Sequence, residues 1–318
     1  MKRGRRKYSD NVKEDRLSDL PDCVILHILS LLDTRCAVQT CILSKRWNNL
    51  WKHLPTLILC PSYFRTIKSF NKFVSRILSL RNASTPLRSL DFLPHHGTVG
   101  PRLVQRIAKY AVSHHVQQLS FNIKCDIQHF PTCFFSCHTL TSLKLSLTNS
   151  KTYEGALFPS SLNLPALATL SLEGFNFRVG DDGYAEPFSA FSSLNSLIIR
   201  YCRVLDAQNL CISSATLANL NLKTYHHSNY GKIELSSPSL CTFVFVCMGG
   251  FPALKLRGIE NNLSSVKHVK IHASIYGNDA DTSLVLLNWL VELGNIKSLT
   301  IDDNALKVLS SKFDLRNY

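Results

Sequence analysis

The chain has 318 residues, 45% of them apolar and 18% charged, the balance of a folded protein rather than a disordered one. No stretch reaches the roughly 18 consecutive apolar residues of a membrane span, and the basic N-terminus holds no apolar run suited to a signal peptide, so no membrane is expected. The formal charge of +14 admits nucleic acid or an acidic partner without choosing between them.

Residues 1–18 read as a basic disordered tail. Lys2, Arg3, Arg5, Arg6 and Lys7 resemble a nuclear-localisation signal, with a solvated tail as the alternative, and the expected location is nucleus and/or cytoplasm. The 11 cysteines are odd in number and irregularly spaced, so they read as small buried hydrophobes in a reducing compartment. Cys125, Cys133, Cys137 and His138 lack the paired spacing that converges four ligands on zinc, and neither a metal nor a cofactor is implied.

Residues 19–54 read as three short helices. Pro21 suits a first helical turn, where its missing N–H needs no partner. Val24, Ile25, Ile28, Leu29, Leu31 and Leu32 then give a wide apolar face within about three turns. Asp33 or Thr34 can cap a second helix, and Ser44 a third that carries Trp47, Leu50 and Trp51. Helices this short are costly to nucleate, so the unit should lean on a partner protein or on the domain that follows.

Leu20-Pro21, the run Ile28 to Leu32, Val38, the run Leu43 to Trp47, and Trp51 together resemble the F-box, most closely that of the plant F-box and leucine-rich-repeat family. The resemblance implies docking onto a Skp-type adaptor, and through it onto cullin and RING subunits, so that ubiquitin reaches whatever target protein the rest of the chain holds. It also implies an apolar adaptor-binding anchor of Leu20, Pro21, Ile25, Ile28, Leu32, Leu43 and Trp47. Many relatives continue into a C-terminal FBD domain, whereas this chain stops at Tyr318, so either a short family member or an incomplete gene product is expected.

Residues 55–115 read as a helical linker and first repeat, with helical apolar spacing at 64–80 and 102–113. From there to 318 the chain reads as leucine-rich repeats. The unit L-x-x-L-x-L starts at Leu87, Val116, Leu140, Leu167, Leu194, Leu217, Leu240, Val266 and Ile296, nine copies separated by 29, 24, 27, 27, 23, 23, 26 and 30 residues. Each unit should form a short parallel strand whose alternate residues enter a shared core, and stacking covers what one repeat leaves exposed. The expected fold is therefore α/β: a three-helix F-box, then an irregular solenoid with a parallel sheet on its concave face. The returns are expected to be loops or extended segments, apart from a helix near 282–293.

No nucleophile elbow, metalloprotease helix or phosphate-binding glycine loop occurs, so nothing points to an enzyme. The pairs His95-His96, His114-His115 and His226-His227 read as solvent-facing loop residues. A binding surface is then sought on the concave face, where Lys144, Arg200, Lys223, His268 and Lys270 lean basic and suit an acidic or phosphorylated target, with an ordinary solvated sheet face as the alternative. The function expected is substrate recognition for an SCF-type (Skp-cullin-F-box) ligase. One alternative is a repeat scaffold without ligase output. Another is a nucleic-acid-associated protein, disfavoured because no basic helix, finger or aromatic-interleaved basic stretch is found in the body.

Overall fold

The computed structural model describes residues 19–93, 99–123, 130–147, 155–159, 162–206, 209–224, 230–256, 266–274, 280–294 and 296–310. The basic run Lys2 to Lys7, Cys125, His95-His96 and His226-His227 lie outside these residues.

The N-terminal module comprises helix α1 (Asp22–Ser30), helix α2 (Thr34–Gln39) and a 3-10 segment, Trp47–His53. Pro21 precedes α1 as its cap residue, and its carbonyl accepts from the N–H groups of Val24 and Ile25 at 3.0 and 3.1 Å. Of the two candidate caps for α2, Asp33 serves, its side chain accepting from Cys36 N at 3.0 Å. Ser44 is no side-chain cap: its carbonyl receives Trp47 N at 3.2 Å, while its hydroxyl is buried without a hydrogen bond. Arg46 ties the third segment to the first, its guanidinium donating to the Leu20 carbonyl and to the Asp22 carboxylate.

Behind the module lies one parallel sheet of ten strands. In sheet order these are β1 (Thr56–Leu59), β2 (Ser89–Phe92), β3 (Gln118–Ile123), β4 (Ser142–Leu147), β6 (Thr169–Glu173), β8 (Ser196–Arg200), β11 (Asn219–Thr224), β13 (Thr242–Cys247), β15 (His268–Ala273) and β16 (Ser298–Ile301). Nine of them hold the nine sequence copies. The tenth, β1, follows the same rule with Leu54, Leu57 and Leu59, all buried. Leu54 both closes the helical module expected at 19–54 and opens this tenth copy.

The two ends of the sheet are finished differently. Beside β1, the buried Thr34 hydroxyl accepts from Ile58 N at 2.9 Å, so α2 covers a backbone donor on an edge strand. Buried Arg81 reinforces the junction by donating to the carbonyls of Leu54 and Pro86 at 2.9 Å each. Ile25, Leu29, Trp47 and Trp51 join Leu57, Leu59 and Phe70 in one continuous core. The following domain therefore supplies the support that the short helices need.

Helix α3 (Ile67–Leu80) and helix α4 (Pro101–Ser113) return the chain between the first three strands. The middle returns are extended and pair as two further parallel sheets. One is β5 (Ala156–Leu157), β7 (Phe175–Phe177) and β9 (Arg203–Val204); the other is β10 (Asn209–Ser213), β12 (Lys232–Ser236) and β14 (Ala253–Leu256). Gly174 makes the tight passage from β6 to β7 at φ +77°, where a Cβ would sit 2.5 Å from the Leu147 carbonyl oxygen. Helix α5 (Ala280–Glu292) occupies the expected helical return, and α6 (Asp303–Ser310) follows the last strand.

Two expectations need correction. Cys137, Cys202, Cys211 and Cys247 are buried, but Cys23 and Cys133 are exposed, so the thiols are not uniformly interior. Basic helices also exist ahead of the main repeat body, where the faces of α3 and α4 opposite their apolar stripes carry Lys68, Lys72 and Arg76, and Arg102, Arg106 and Lys109.

Candidate functional site

Two surfaces stand out, one apolar on the helical module and one polar on the open face of the long sheet. The module displays large apolar side chains that a self-contained domain would bury. Leu31 is 71% exposed, Ile42 87% and Leu43 61%, with Leu32 and Val24 less so. Leu31 and Leu32 adjoin in sequence, as do Ile42 and Leu43, and grouped exposed apolar side chains mark a place where another protein sits.

The structure divides the seven expected anchor residues. Pro21, Leu32 and Leu43 are exposed, and Leu20 and Ile28 are partly buried. Ile25 is fully buried and Trp47 is nearly so; these two hold the module together and offer no surface. The two most exposed apolar residues of the module, Leu31 and Ile42, are not among the seven. The signal was available for Leu31: six apolar residues within about three turns are too many for one inward stripe, so some must face outward.

Strand register builds the second surface. Residues flanking the buried leucines align across the sheet in rows, one of which runs Lys144, Ser171, Ile198, Asn221, Val244, Lys270. The next runs Glu173, Arg200, Lys223, Val246, His272. Lys144, Arg200, Lys223, His268 and Lys270 therefore share one face. With roughly 4.8 Å between strands, Lys144 and Lys270 stand about 24 Å apart, the span of an extended peptide rather than of a small molecule. Arg200 and Lys223 are direct neighbours.

Several of these side chains are held in place. Lys223 Nζ lies 5.4 Å from the centre of the Tyr201 ring, and Tyr201 N donates to the Lys223 carbonyl at 2.8 Å. Tyr201 adopts φ +54°, uncommon for a side-chain-bearing residue, directly after β8. His272 Nδ1 is 3.7 Å from an Asp302 carboxylate oxygen. At the other end of the face, burial pushes the Asp91 carboxyl above its ordinary range, and Lys144 partly offsets this.

The thiols offer little chemistry. Burial pushes Cys202 and Cys247 up to about 12, which keeps them protonated and unreactive at neutral pH. Among the described residues no group of His, Cys, Asp and Glu gathers as a metal site would require, and no helix is long and apolar enough to cross a membrane.

Comparison with known proteins matches residues 17–59 to the F-box domain. Along nearly its whole length (98%) the chain is 29% identical to the F-box/LRR-repeat protein At3g26922 of Arabidopsis thaliana, covering 96% of that protein. It is 25% identical to the F-box/LRR-repeat protein At4g14096 and 29% identical to the putative F-box/FBD/LRR-repeat protein At4g13965, both from the same plant. Those matches take in 94% and 97% of this chain but only 64% and 68% of the longer relatives. The F-box match, the leucine-built parallel sheet behind it and the likeness to these relatives make the chain similar to plant F-box/leucine-rich-repeat proteins.

Proposed function

We propose that the chain is a non-catalytic substrate-recognition subunit of an SCF-type ubiquitin ligase, its F-box docking a Skp-type adaptor and its sheet face holding the target. The exposure of Leu31, Leu32, Ile42 and Leu43 on an F-box domain carries this reading. F-box domains generally bind Skp-type adaptors, and an apolar surface this open needs a protein to cover it. The module shares its core with β1, so the adaptor surface and the target surface belong to one packed unit. The chain's contribution would be proximity and orientation of the target.

On this reading Leu20, Pro21 and Ile28 add to the adaptor surface, while buried Ile25 and Trp47 support the helices that present it. The target face uses Arg200 and Lys223 as adjacent donors, flanked by Lys144, His268 and Lys270, for an acidic or phosphorylated segment.

The test is co-expression of residues 1–318 with a plant Skp-type adaptor, followed by size-exclusion chromatography. Deleting 19–54 would strip the cover from β1, so surface substitutions are the cleaner variant. Leu31→Ala with Ile42→Ala and Leu43→Ala should abolish co-elution while leaving the thermal midpoint in place. Undiminished co-elution of the triple variant would refute the reading. Ubiquitin transfer to a captured target in vitro then separates a ligase receptor from a plain scaffold.

A further inference from the structure

The outward faces of α3 and α4 are used by neither surface described above. α3 buries Phe70, Val74, Ile77 and Leu78, and α4 buries Leu103, Val104, Ile107, Ala108 and Ala111. At about 100° per residue, Lys68, Lys72 and Arg76 centre opposite the first stripe, and Arg102, Arg106 and Lys109 opposite the second. All six are exposed.

The strands β1, β2 and β3 are parallel neighbours, and α3 and α4 are their successive crossovers. Crossovers of one hand put both helices on the same side of the sheet, opposite the open face. The six cations therefore share one side of the molecule. Between Cys60 and Lys124 the one acidic residue is Asp91, which stands on β2 in the row of Lys144, across the sheet from the helices. Among the described residues none of the six cations forms an ion pair. Like charges spaced four apart repel along a helix, so each helix is less stable for carrying them.

We propose that this two-helix face binds the phosphate backbone of double-stranded nucleic acid. Cations repeat at about 6 Å along each helix, so each helix carries a row of positive charge, and the two rows lie on neighbouring crossovers of one sheet. Two such rows can follow the two phosphate strands that flank a duplex groove, whose width is roughly 6 Å (minor) to 12 Å (major). The residues interspersed on these faces include Ser69, Ser79 and Gln105, which together with Lys and Arg make up the usual set of phosphate contacts.

What the face lacks points the same way. Apart from Leu80, at the end of α3, neither helix exposes a large apolar side chain. A protein interface would need a buried anchor, a membrane-surface helix an inserting Trp, Phe or Leu, and a single-strand site aromatic rings for stacking. The contacts proposed are to phosphates, which carry no base identity, so binding should be independent of sequence and steep in salt. It requires neither the adaptor nor the target.

The test uses the full chain and a labelled duplex of about 20 base pairs, followed by fluorescence anisotropy from about 50 to 200 mM salt. Changing Lys68, Lys72, Arg76, Arg102, Arg106 and Lys109 to Gln should weaken binding at least roughly tenfold at the lower salt and flatten the slope of log K against log salt. An α4 variant alone (R102Q, R106Q, K109Q) should give about half of that change in slope, and it guards against a folding defect in the larger set. Replacing Lys144, Arg200, Lys223 and Lys270 by Gln should leave duplex binding unaltered.

Duplex binding that survives the six-residue change would overturn the proposal and move the contact to the N-terminal basic run or the open face. Tighter binding to a single strand of equal length would overturn it too. So would retention by phosphatidylserine vesicles with no duplex binding.

Discussion

Leu197 and Leu31 are the same side chain in two settings. Leu197 is fully buried on β8, between β6 and β11, whereas Leu31 is 71% exposed just past the end of α1. In the body every strand presents the same apolar face as its neighbours, so each repeat covers the next and the leucines leave water almost completely. The N-terminal module is too small to enclose all that it carries, and what it cannot enclose becomes surface. The far end of the stack obeys the same rule. On β16, beyond which no further strand pairs among the described residues, Leu299 is 41% exposed at a position that is buried in every other strand of the sheet.

The contrast can be broken by substitution. Leu197→Ala should cost about 2–5 kcal/mol of stability through lost transfer energy and a residual cavity, read from urea unfolding, and adaptor co-elution should survive wherever the chain remains folded. Thr34→Val tests the seam between the regions. It keeps the side-chain shape but leaves Ile58 N–H without its acceptor, so a loss of about 1–3 kcal/mol is expected; an unchanged midpoint would mean that α2 does not hold the edge strand through this bond. Leu31→Ala with Ile42→Ala should shift unfolding by no more than about 0.5 kcal/mol, as surface changes usually do, while weakening the adaptor complex. Equal unfolding penalties for Leu197→Ala and Leu31→Ala would erase the distinction between the regions.

The smallest expected effect concerns Asp91, whose carboxyl is raised by burial. The folded state then keeps the proton over a window, starting near the unfolded value of about 3.9, in which the unfolded chain has released it. Stability contributed at this site falls as pH rises through that window and stays lower at neutral pH. Asp91→Asn should therefore raise the thermal midpoint at pH 7 relative to the parent, with the difference closing well below pH 4. A lower midpoint at pH 7 would show that Lys144 outweighs the burial.

Much of the fold was readable because it rests on local repetition. The motif that places Leu143 and Leu145, or Leu220 and Leu222, in the core recurs along the chain, and period-two burial follows from strand geometry alone. The helical returns at α3, α4 and α5 were readable from their apolar spacing for the same reason. The copy at Leu54, Leu57 and Leu59 escaped because Leu54 closes one module while opening the next, and a residue with two neighbours in space shows only one of them in sequence.

The candidate surfaces were less legible. Ile25 and Leu31 lie on one short segment with similar apolar character, and only the packing of α1 against the Trp47–His53 turn decides which is interior and which is displayed. Arg200 and Lys223 are 23 positions apart in the chain and become neighbours through the register of β8 with β11. The six cations of α3 and α4 are unremarked in sequence because like charges on separate helices meet only when two crossovers of one hand lay those helices on the same side of the sheet.

The sequence by itself determined the F-box, the strand-forming repeat and the buried leucines, since each depends on residues within a few positions of one another. Tertiary structure alone decided which apolar residues of the module face outward, how the basic residues gather on two opposite faces, and how the module joins the sheet through Thr34 and Arg81. The physical reason is that burial and charge proximity are sums over neighbours in space, and those neighbours come from segments that periodicity along the chain cannot relate.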